Sequence, residues 1–477
     1  MLFNSIEFIV YFIVLFFLHF AIPHRWRWLL LLIASYYFYM SWQWEYGFLL
    51  AGVSLVNYYF GNRIASTEDP RKRAALLAAC VVPSVGAVVY YKYTAFIAGS
   101  INDLLYVFNP EASIPVPNVF LPVGISFFTF QALTYSIDIY RRQLAPQHHV
   151  GKFLLYVVFF PQLVAGPIER SSHLLGQFDK EMHIEWDNVT SGLQLMLWGL
   201  FKKVVIADRL AIYVQLIYSS PESHSGATLL LATYFFAFQI YCDFSAYSDI
   251  AIGCARVFGF DLMQNFNLPY FARSIGEFWG RWHISLSTWF RDYFYIPMGG
   301  NRVTLPRWVF NIMATFLLSG LWHGASWNFI IWGGLHGFYY VCGRMTAGLR
   351  AGFLKVVPLP KALIVTMQTL FIFHLVVLTW VFFRAATLED AKLILTRIFT
   401  MAGGGLYLGS SAVQTALSVA LIGLLLVIQV FQYNGVFTLY KSSSRCPVIL
   451  RWIGYTLLAL AILLFGIESN AFIYFQF

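Results

Sequence analysis

The residues in this sequence best suited to chemistry are two histidines set among aromatic and apolar side chains. His323 lies in Ser319-Gly320-Leu321-Trp322-His323-Gly324-Ala325-Ser326-Trp327, between stretches that read as membrane-embedded, and His283 lies in Arg281-Trp282-His283-Ile284-Ser285. An ionisable side chain at bilayer depth costs about 2.5 to 3.5 kcal/mol when charged, so such residues usually line cavities or pathways. Histidine is less costly than most, because an unperturbed pKa of about 6.5 lets it sit neutral and still accept a proton. The plain alternatives are a packed core histidine for His323 and an interfacial side chain beside arginines for His283. The stretch between them is long enough to fold back and bring both to one cavity, where they can divide acid and base roles.

Other chemistries find less support. No H-E-x-x-H occurs, and His148-His149 are adjacent in a polar loop and share no helix face, so no metal site is expected. There is no G-x-S-x-G elbow, no G-x-G-x-x-G and no P-loop lysine pattern, which argues against a serine nucleophile or a nucleotide fold. Cys80, Cys242, Cys254, Cys342 and Cys446 form no C-x-x-C pair, so neither a disulfide framework nor a zinc site is inferred. Asp243 and Asp249 lie within an apolar stretch, in Tyr241-Cys242-Asp243-Phe244-Ser245-Ala246-Tyr247-Ser248-Asp249. They suit either a proton or cation pathway or structural pairing with Arg256, Arg281 or Arg291, and the structural reading is favoured. Tyr474, in Phe472-Ile473-Tyr474-Phe475-Gln476-Phe477, reads on composition alone as an aromatic anchor at the membrane interface.

The elements that must position these groups are membrane helices. Hydrophobic residues make up 59% of the 477 and charged residues 11%, where a soluble domain carries about 25% charge. The expected fold is an all-α polytopic integral membrane protein. At about 20 residues per crossing there is room for roughly 10 to 13 helices, including re-entrant and interfacial ones around a central funnel, in one transmembrane domain covering residues 1–477. The net charge of +9 is spread over short basic clusters between apolar stretches. The positive-inside rule accounts for them, and no nucleic-acid partner is expected.

Ile6 to Ile22 is followed by His24, Arg25 and Arg27, which predicts a retained first span with its N-terminus outside the cytoplasm. Leu29 to Phe60, interrupted at Ser41–Glu45, predicts a helical hairpin, and Ala74 to Ala98 predicts a crossing before an external loop at Asn102–Asn118. Phe120 to Tyr140 returns. Phe153 to Ala165 is short enough to be re-entrant, and Leu193 to Tyr218, with Lys202, Lys203, Asp208 and Arg209 inside it, is either a broken helix or an interfacial one. Ile275 to Tyr293 repeats apolar residues at steps of three and four, which predicts an amphipathic helix with His283 near its boundary.

Taken together, the motifs resemble the membrane-bound O-acyltransferase family, in its bacterial polysaccharide O-acetylation branch, over nearly the whole chain. The most specific are Leu121-Pro122-Val123-Gly124-Ile125-Ser126-Phe127, Ala165-Gly166-Pro167-Ile168, the Asp243–Asp249 run, Glu277-Phe278-Trp279-Gly280-Arg281-Trp282-His283-Ile284-Ser285, and Gly320-Leu321-Trp322-His323-Gly324. Ala246 departs from the glycine expected in that branch. The resemblance implies that His323 is the catalytic histidine and His283 the second histidine of the same funnel. It likens the Phe472-x-Tyr474-x-x-Phe477 tail to one that, in teichoic-acid D-alanylation, belongs to a separate small partner and carries the acyl group. Tyr474 thereby becomes a candidate acyl carrier fused to the enzyme.

The expected reaction is transfer of an acetyl group from a cytoplasmic thioester, acetyl-CoA, to a hydroxyl, without a metal. The expected setting is the bacterial inner membrane with its lipid. The acetyl group then passes to an extracytoplasmic acetyltransferase or acceptor protein and on to a polysaccharide such as alginate or cellulose. Peptidoglycan acetylation and a carrier-protein donor stay open as rivals, and so does a transporter without acyl chemistry, although no inverted repeat is visible.

Overall fold

The computed structural model describes the chain except residues 165, 358, 437–447, 468–471 and 473–477, and the side chains of residues 353, 354 and 450. The regular elements among the described residues are all helical, with no strand, as expected of an all-α membrane protein. They form two compact units, Met1–Met196 with Ile250–Met263, and Leu197–Asp249 with Gln264–Phe477.

The first unit opens with α1 (Ile6–Ala21), α2 (His24–Met40) and α3 (Glu45–Ala65). The break between α2 and α3 falls at Ser41–Trp44, where the polar interruption predicts a hairpin tip. Next come α4 (Pro70–Val88) and α5 (Thr94–Phe108), joined through a π-helical turn at Val89–Tyr93 into one rod of 39 residues. The expected end of this span at Ala98 is therefore too early. Nothing in Gly99–Phe108 breaks a helix, and the rod stops only where Asn109 and Pro110 begin the loop.

After α6 (Ile125–Tyr140), α7 (Val150–Val158) has only 9 residues and ends before Pro161. At 1.5 Å per residue it falls well short of the roughly 30 Å hydrocarbon core, so it is not a crossing, and its residues are mostly buried within protein. The short α8 (Ser171–Leu174) and most of α9 (Trp186–Leu200) complete the series. Arg73, itself buried, locks the basic end of the unit. Its guanidinium donates to the carbonyls of Ile64, Thr67, Ile139 and Tyr140, satisfying the open C-terminal ends of α3 and α6 at once.

The second unit contains α10 (Asp208–Tyr218), most of α11 (Gly226–Val257), α12 (Ile275–Trp279), α13 (Ile284–Phe290), α14 (Leu305–His323) and α15 (Trp327–Met345). It closes with α16 (Ala347–Val356), α17 (Lys361–Arg384), α18 (Leu388–Thr400), α19 (Ala412–Tyr433) and α20 (Val448–Phe465). By length and composition the described helices able to cross a membrane are the α4–α5 rod, α11, α17 and α19.

The stretch left open as broken or interfacial is a continuous helical run. A π-helical turn at Phe201–Ala207 links α9 to α10 and carries both lysines inward. The Ile275–Tyr293 stretch, by contrast, is not one amphipathic helix. It breaks at Gly280–His283 between α12 and α13, because His283 takes a left-handed conformation (φ 45°) that a continuous α-helix cannot contain.

Helices α14 and α15 form a close antiparallel pair. A Cβ built at Gly320 lies 2.2 Å from the Phe329 carbonyl oxygen, and one at Gly333 lies 2.2 Å from that of Phe316. Only glycine lets the two backbones come this near, the small-residue packing typical of membrane helices.

Candidate active site

His323 is the last residue of α14, three positions after the glycine that lets α15 approach. The helix stops there because Gly324 is extended, and a Cβ at Gly324 lies 2.0 Å from the Phe329 ring. Its imidazole is buried and enclosed by rings, with centroids 5.0 Å from Trp322, 5.0 Å from Trp332 and 5.5 Å from Phe383.

His283 reaches the same place from a different kind of element. Asn265, fully buried, holds the backbone just after it: its carbonyl accepts from the Ile284 N–H (2.9 Å), and its side-chain oxygen accepts from the Ser285 N–H (3.2 Å) and hydroxyl (3.0 Å). The Asn265 amide donates in turn to the Ser248 hydroxyl on α11 (3.2 Å). Further back, the Asn267 N–H donates to the Arg281 carbonyl, and Arg281 is paired with Glu277. A buried strap, not a helix face, thus sets the left-handed turn that aims His283. Phe244 of α11 meets its ring edge-on at 4.6 Å.

The two imidazoles lie 6.2 Å apart between centroids, both buried. Two imidazoles this close can act on one reacting centre, one accepting a proton from a hydroxyl and the other donating to a carbonyl oxygen. The aromatic walls keep bulk water away and strengthen electrostatic interactions inside.

A third histidine, His336 on α15, joins this group without any sequence signal having marked it. The Trp279 indole donates to its Nδ1 (3.3 Å), and its Nε2 lies 3.0 Å from the Thr379 hydroxyl. That hydroxyl spends its single proton on the Val376 carbonyl (2.7 Å), so it accepts from Nε2–H, and the tautomer of His336 is fixed. Trp332 is shared between the histidines, 4.9 Å from His336 and 5.0 Å from His323.

Asp243 and Asp249 are paired with lysines, where the sequence suggested Arg256, Arg281 or Arg291. Lys203 Nζ lies 2.6 Å from Asp243 and 2.8 Å from Asp208, while Lys202 Nζ lies 2.8 Å from Asp249 and donates to the Ser245 hydroxyl at 2.7 Å. The physical reason is local. The π-turn places two consecutive lysines against α11, and Arg281 and Arg291 are engaged by Glu277 and Asp292 on their own segment. Both aspartates sit in ion pairs, as the structural reading expects, but the partners are lysines.

Of the C-terminal motif, Phe472 is described and Tyr474 lies outside the described residues. Phe472 is buried, with its ring 4.8 Å from Tyr247 and under the Lys203 ammonium at 4.4 Å. Among the described residues no group of three or more His, Cys, Asp and Glu side chains is placed to hold a metal ion.

An all-helical membrane fold that buries two facing histidines defines a class, and the comparisons with known proteins agree: residues 140–386 match the profile of the membrane-bound O-acyltransferase family, to which this chain belongs. It is a multi-pass membrane O-acyltransferase. It is 39% identical over 444 residues to the probable alginate O-acetylase of Azotobacter vinelandii, covering 93% of this chain and 86% of that protein. Identity to the probable alginate O-acetylase of Pseudomonas putida is 36% over 501 residues, spanning the whole of both. The peptidoglycan O-acetyltransferase of Helicobacter pylori is 35% identical over 373 residues, 73% of this chain and 69% of that one.

Proposed function

We propose that this enzyme takes an acetyl group from acetyl-CoA at the cytoplasmic side of a bacterial inner membrane and passes it across for O-acetylation of an extracellular polysaccharide such as alginate or cellulose. The apposition of His283 and His323 carries the reading. His323 accepts the proton of the incoming hydroxyl, whose oxygen forms a bond to the thioester carbonyl carbon. His283 donates to the oxyanion. The C–S bond then breaks, the acetyl ester remains on the acceptor, and the proton held by His323 returns to the departing thiolate. General base catalysis of this kind is worth about 10² to 10⁴ in rate, and a well-placed oxyanion donor about 3 to 4 kcal/mol.

Tyr474 is the proposed first acceptor, with an extracytoplasmic acetyltransferase or acceptor protein receiving the group from its phenol. The burial of Phe472 against Tyr247 supports this, because Tyr247 lies one helical turn beyond Phe244, the residue packed on His283. Phe472, the first residue of the motif, thereby packs on the helix that carries Phe244. Peptidoglycan as acceptor is the second reading, favoured by the Helicobacter pylori relative.

The test is the ester-linked acetate on surface polymers of a strain lacking the gene, complemented with variants. His323→Ala is expected to give none while remaining folded in the membrane, and acetate at the wild-type level would sink the proposal. Tyr474→Phe is expected to abolish polymer acetylation yet leave slow acetyl-CoA hydrolysis by purified enzyme. Full activity would return the tail to an anchor. Which polymer loses its acetate separates exopolysaccharide from peptidoglycan.

A further inference from the structure

Away from the histidines, the second unit holds a groove of about 570 Å³ between the start of α12, the last turns of α15 and the middle of α17. That volume lies within the range of small-ligand sites, about 300 to 1,000 Å³. Its wall is apolar: Ile275, Ile372 and Leu375 line it, and Phe371 stands at its edge, 63% exposed. Phe371 shares α17, a helix long and apolar enough to cross a membrane, with exposed Met367 and Leu370, so the groove opens on an apolar helix face.

The polar end of the groove is basic. Arg344 and Arg350 line it, and Arg344 also lies over the Trp308 ring at 4.8 Å, which puts it at the same end of the α14–α15 pair as Arg302 and Arg307. Lys355 and Lys361 follow close in sequence. Between Asp292 and Glu389 the chain contains no carboxylate at all. Glu277, which follows the groove's first wall, is already bound to Arg273 and Arg281. By the positive-inside rule this end faces the cytoplasm.

An apolar slot on a candidate membrane helix, ending in guanidinium groups that no described carboxylate pairs, although Arg350 donates to the Gly343 carbonyl, matches one kind of molecule. We propose that the groove is a binding site for an anionic glycerophospholipid of the cytoplasmic leaflet, with an acyl chain along Ile275, Ile372 and Leu375 and the phosphate on Arg344 and Arg350. Basic pockets between membrane helices on the cytoplasmic side recognise such headgroups by charge, and guanidinium pairs phosphate in a bidentate fork. The site is independent of the acyl-transfer reading.

Full-length protein equilibrated with phosphatidylglycerol or with phosphatidylcholine, then examined by native mass spectrometry, tests the assignment. Wild type is expected to retain phosphatidylglycerol in preference to phosphatidylcholine. Arg344→Gln with Arg350→Gln is expected to weaken that retention about tenfold, equivalent to ~1.4 kcal/mol. A second variant guards against misfolding: a Cβ at Gly343, which lines the groove, meets nothing within 4 Å, so Gly343→Leu fills the slot without disturbing the packing and is expected to expel the lipid. Equal retention of both lipids by wild type, or undiminished phosphatidylglycerol in both variants, overturns the site. So does displacement of phosphatidylglycerol by soluble coenzyme A, since the basic end would then belong to a soluble phosphate ligand.

Discussion

His283 stands 6.2 Å from His323 between ring centroids, and the two arrive there by different local rules. His323 ends a regular helix, whereas His283 occupies a left-handed turn between two short ones. A non-glycine residue in that conformation costs roughly 1 to 2 kcal/mol, and Asn tolerates it better than most. His283→Asn is therefore expected to keep near-wild-type thermal stability while acetyl transfer falls about 10²-fold or more, the loss expected on removing an oxyanion donor. His283→Val adds strain and is expected to melt earlier as well. If the Asn variant turned over at the wild-type rate, His283 would be structural only.

The sequence made the membrane class and the two histidines legible, since composition and a titratable group in an apolar run each carry a direct free-energy meaning. It marked the hairpin tip at Ser41–Trp44 for the same reason. It did not show that α12 and α13 are separate, because the three-and-four periodicity of Ile275–Tyr293 continues across a break set by Asn265, a residue with no local tie to His283. The partners of Asp243 and Asp249 were missed because a π-turn shifts the register of Lys202 and Lys203, and ordinary helical spacing does not anticipate it. His336 was overlooked because its environment comes from Trp279 and Thr379, 57 and 43 residues away in the chain.

The α14–α15 pair should be intolerant of a single methyl group. At Gly320 and Gly333 the added Cβ meets backbone oxygens at 2.2 Å, which cannot swing aside, so Ala at either position must push the helices apart. Overpacking of this sort costs about 1 to 3 kcal/mol. Gly334→Ala is the matched control, because its Cβ finds only the Leu317 side chain at 3.4 Å. Thermal melts in detergent should show Gly320→Ala and Gly333→Ala well below wild type and Gly334→Ala close to it. Since Gly320 lies one turn from His323, activity should fall with the first two; unchanged melts would mean the contact is looser than its geometry.

In the first unit, His173 bridges two carboxylates outside the candidate spans, 3.5 Å from Asp261 and 2.8 Å from buried Glu169. The interaction with Asp261, then the hydrogen bond to Glu169, raises its pKa from 6.5 to about 10. Because the folded value lies above the unfolded one, the stabilisation is complete below about pH 6.5 and is lost as pH rises toward 10. Asp261 is shifted the other way by the same interaction, so its share is lost only in acid. His173 is partly exposed, and solvent screening limits the whole effect to about 1 kcal/mol. Between pH 7 and 10 the melting temperature of wild type should therefore fall more than that of His173→Gln; parallel curves would show that the bridge contributes nothing.

His336 should act through position and not through proton transfer, because both of its ring nitrogens are committed, one accepting from Trp279 and the other donating to Thr379. It ties α12, α15 and α17 together and steadies Trp332, the ring it shares with His323. His336→Leu strands the Trp279 indole N–H in a buried site, at a cost of about 1 to 3 kcal/mol, while the Thr379 hydroxyl keeps its bond to the Val376 carbonyl. With His323 as the proposed base and acetyl-CoA as the proposed donor, the expected kinetics are a kcat lowered about tenfold, a KM for the donor little changed, and a pH profile that keeps its inflection. Thr379→Val should reproduce part of the loss, and the double variant should lose less than the sum, as members of one network do. If the inflection vanished in His336→Leu and survived in His323→Gln at reduced rate, the base would be His336 and the roles of the two histidines would have to be exchanged.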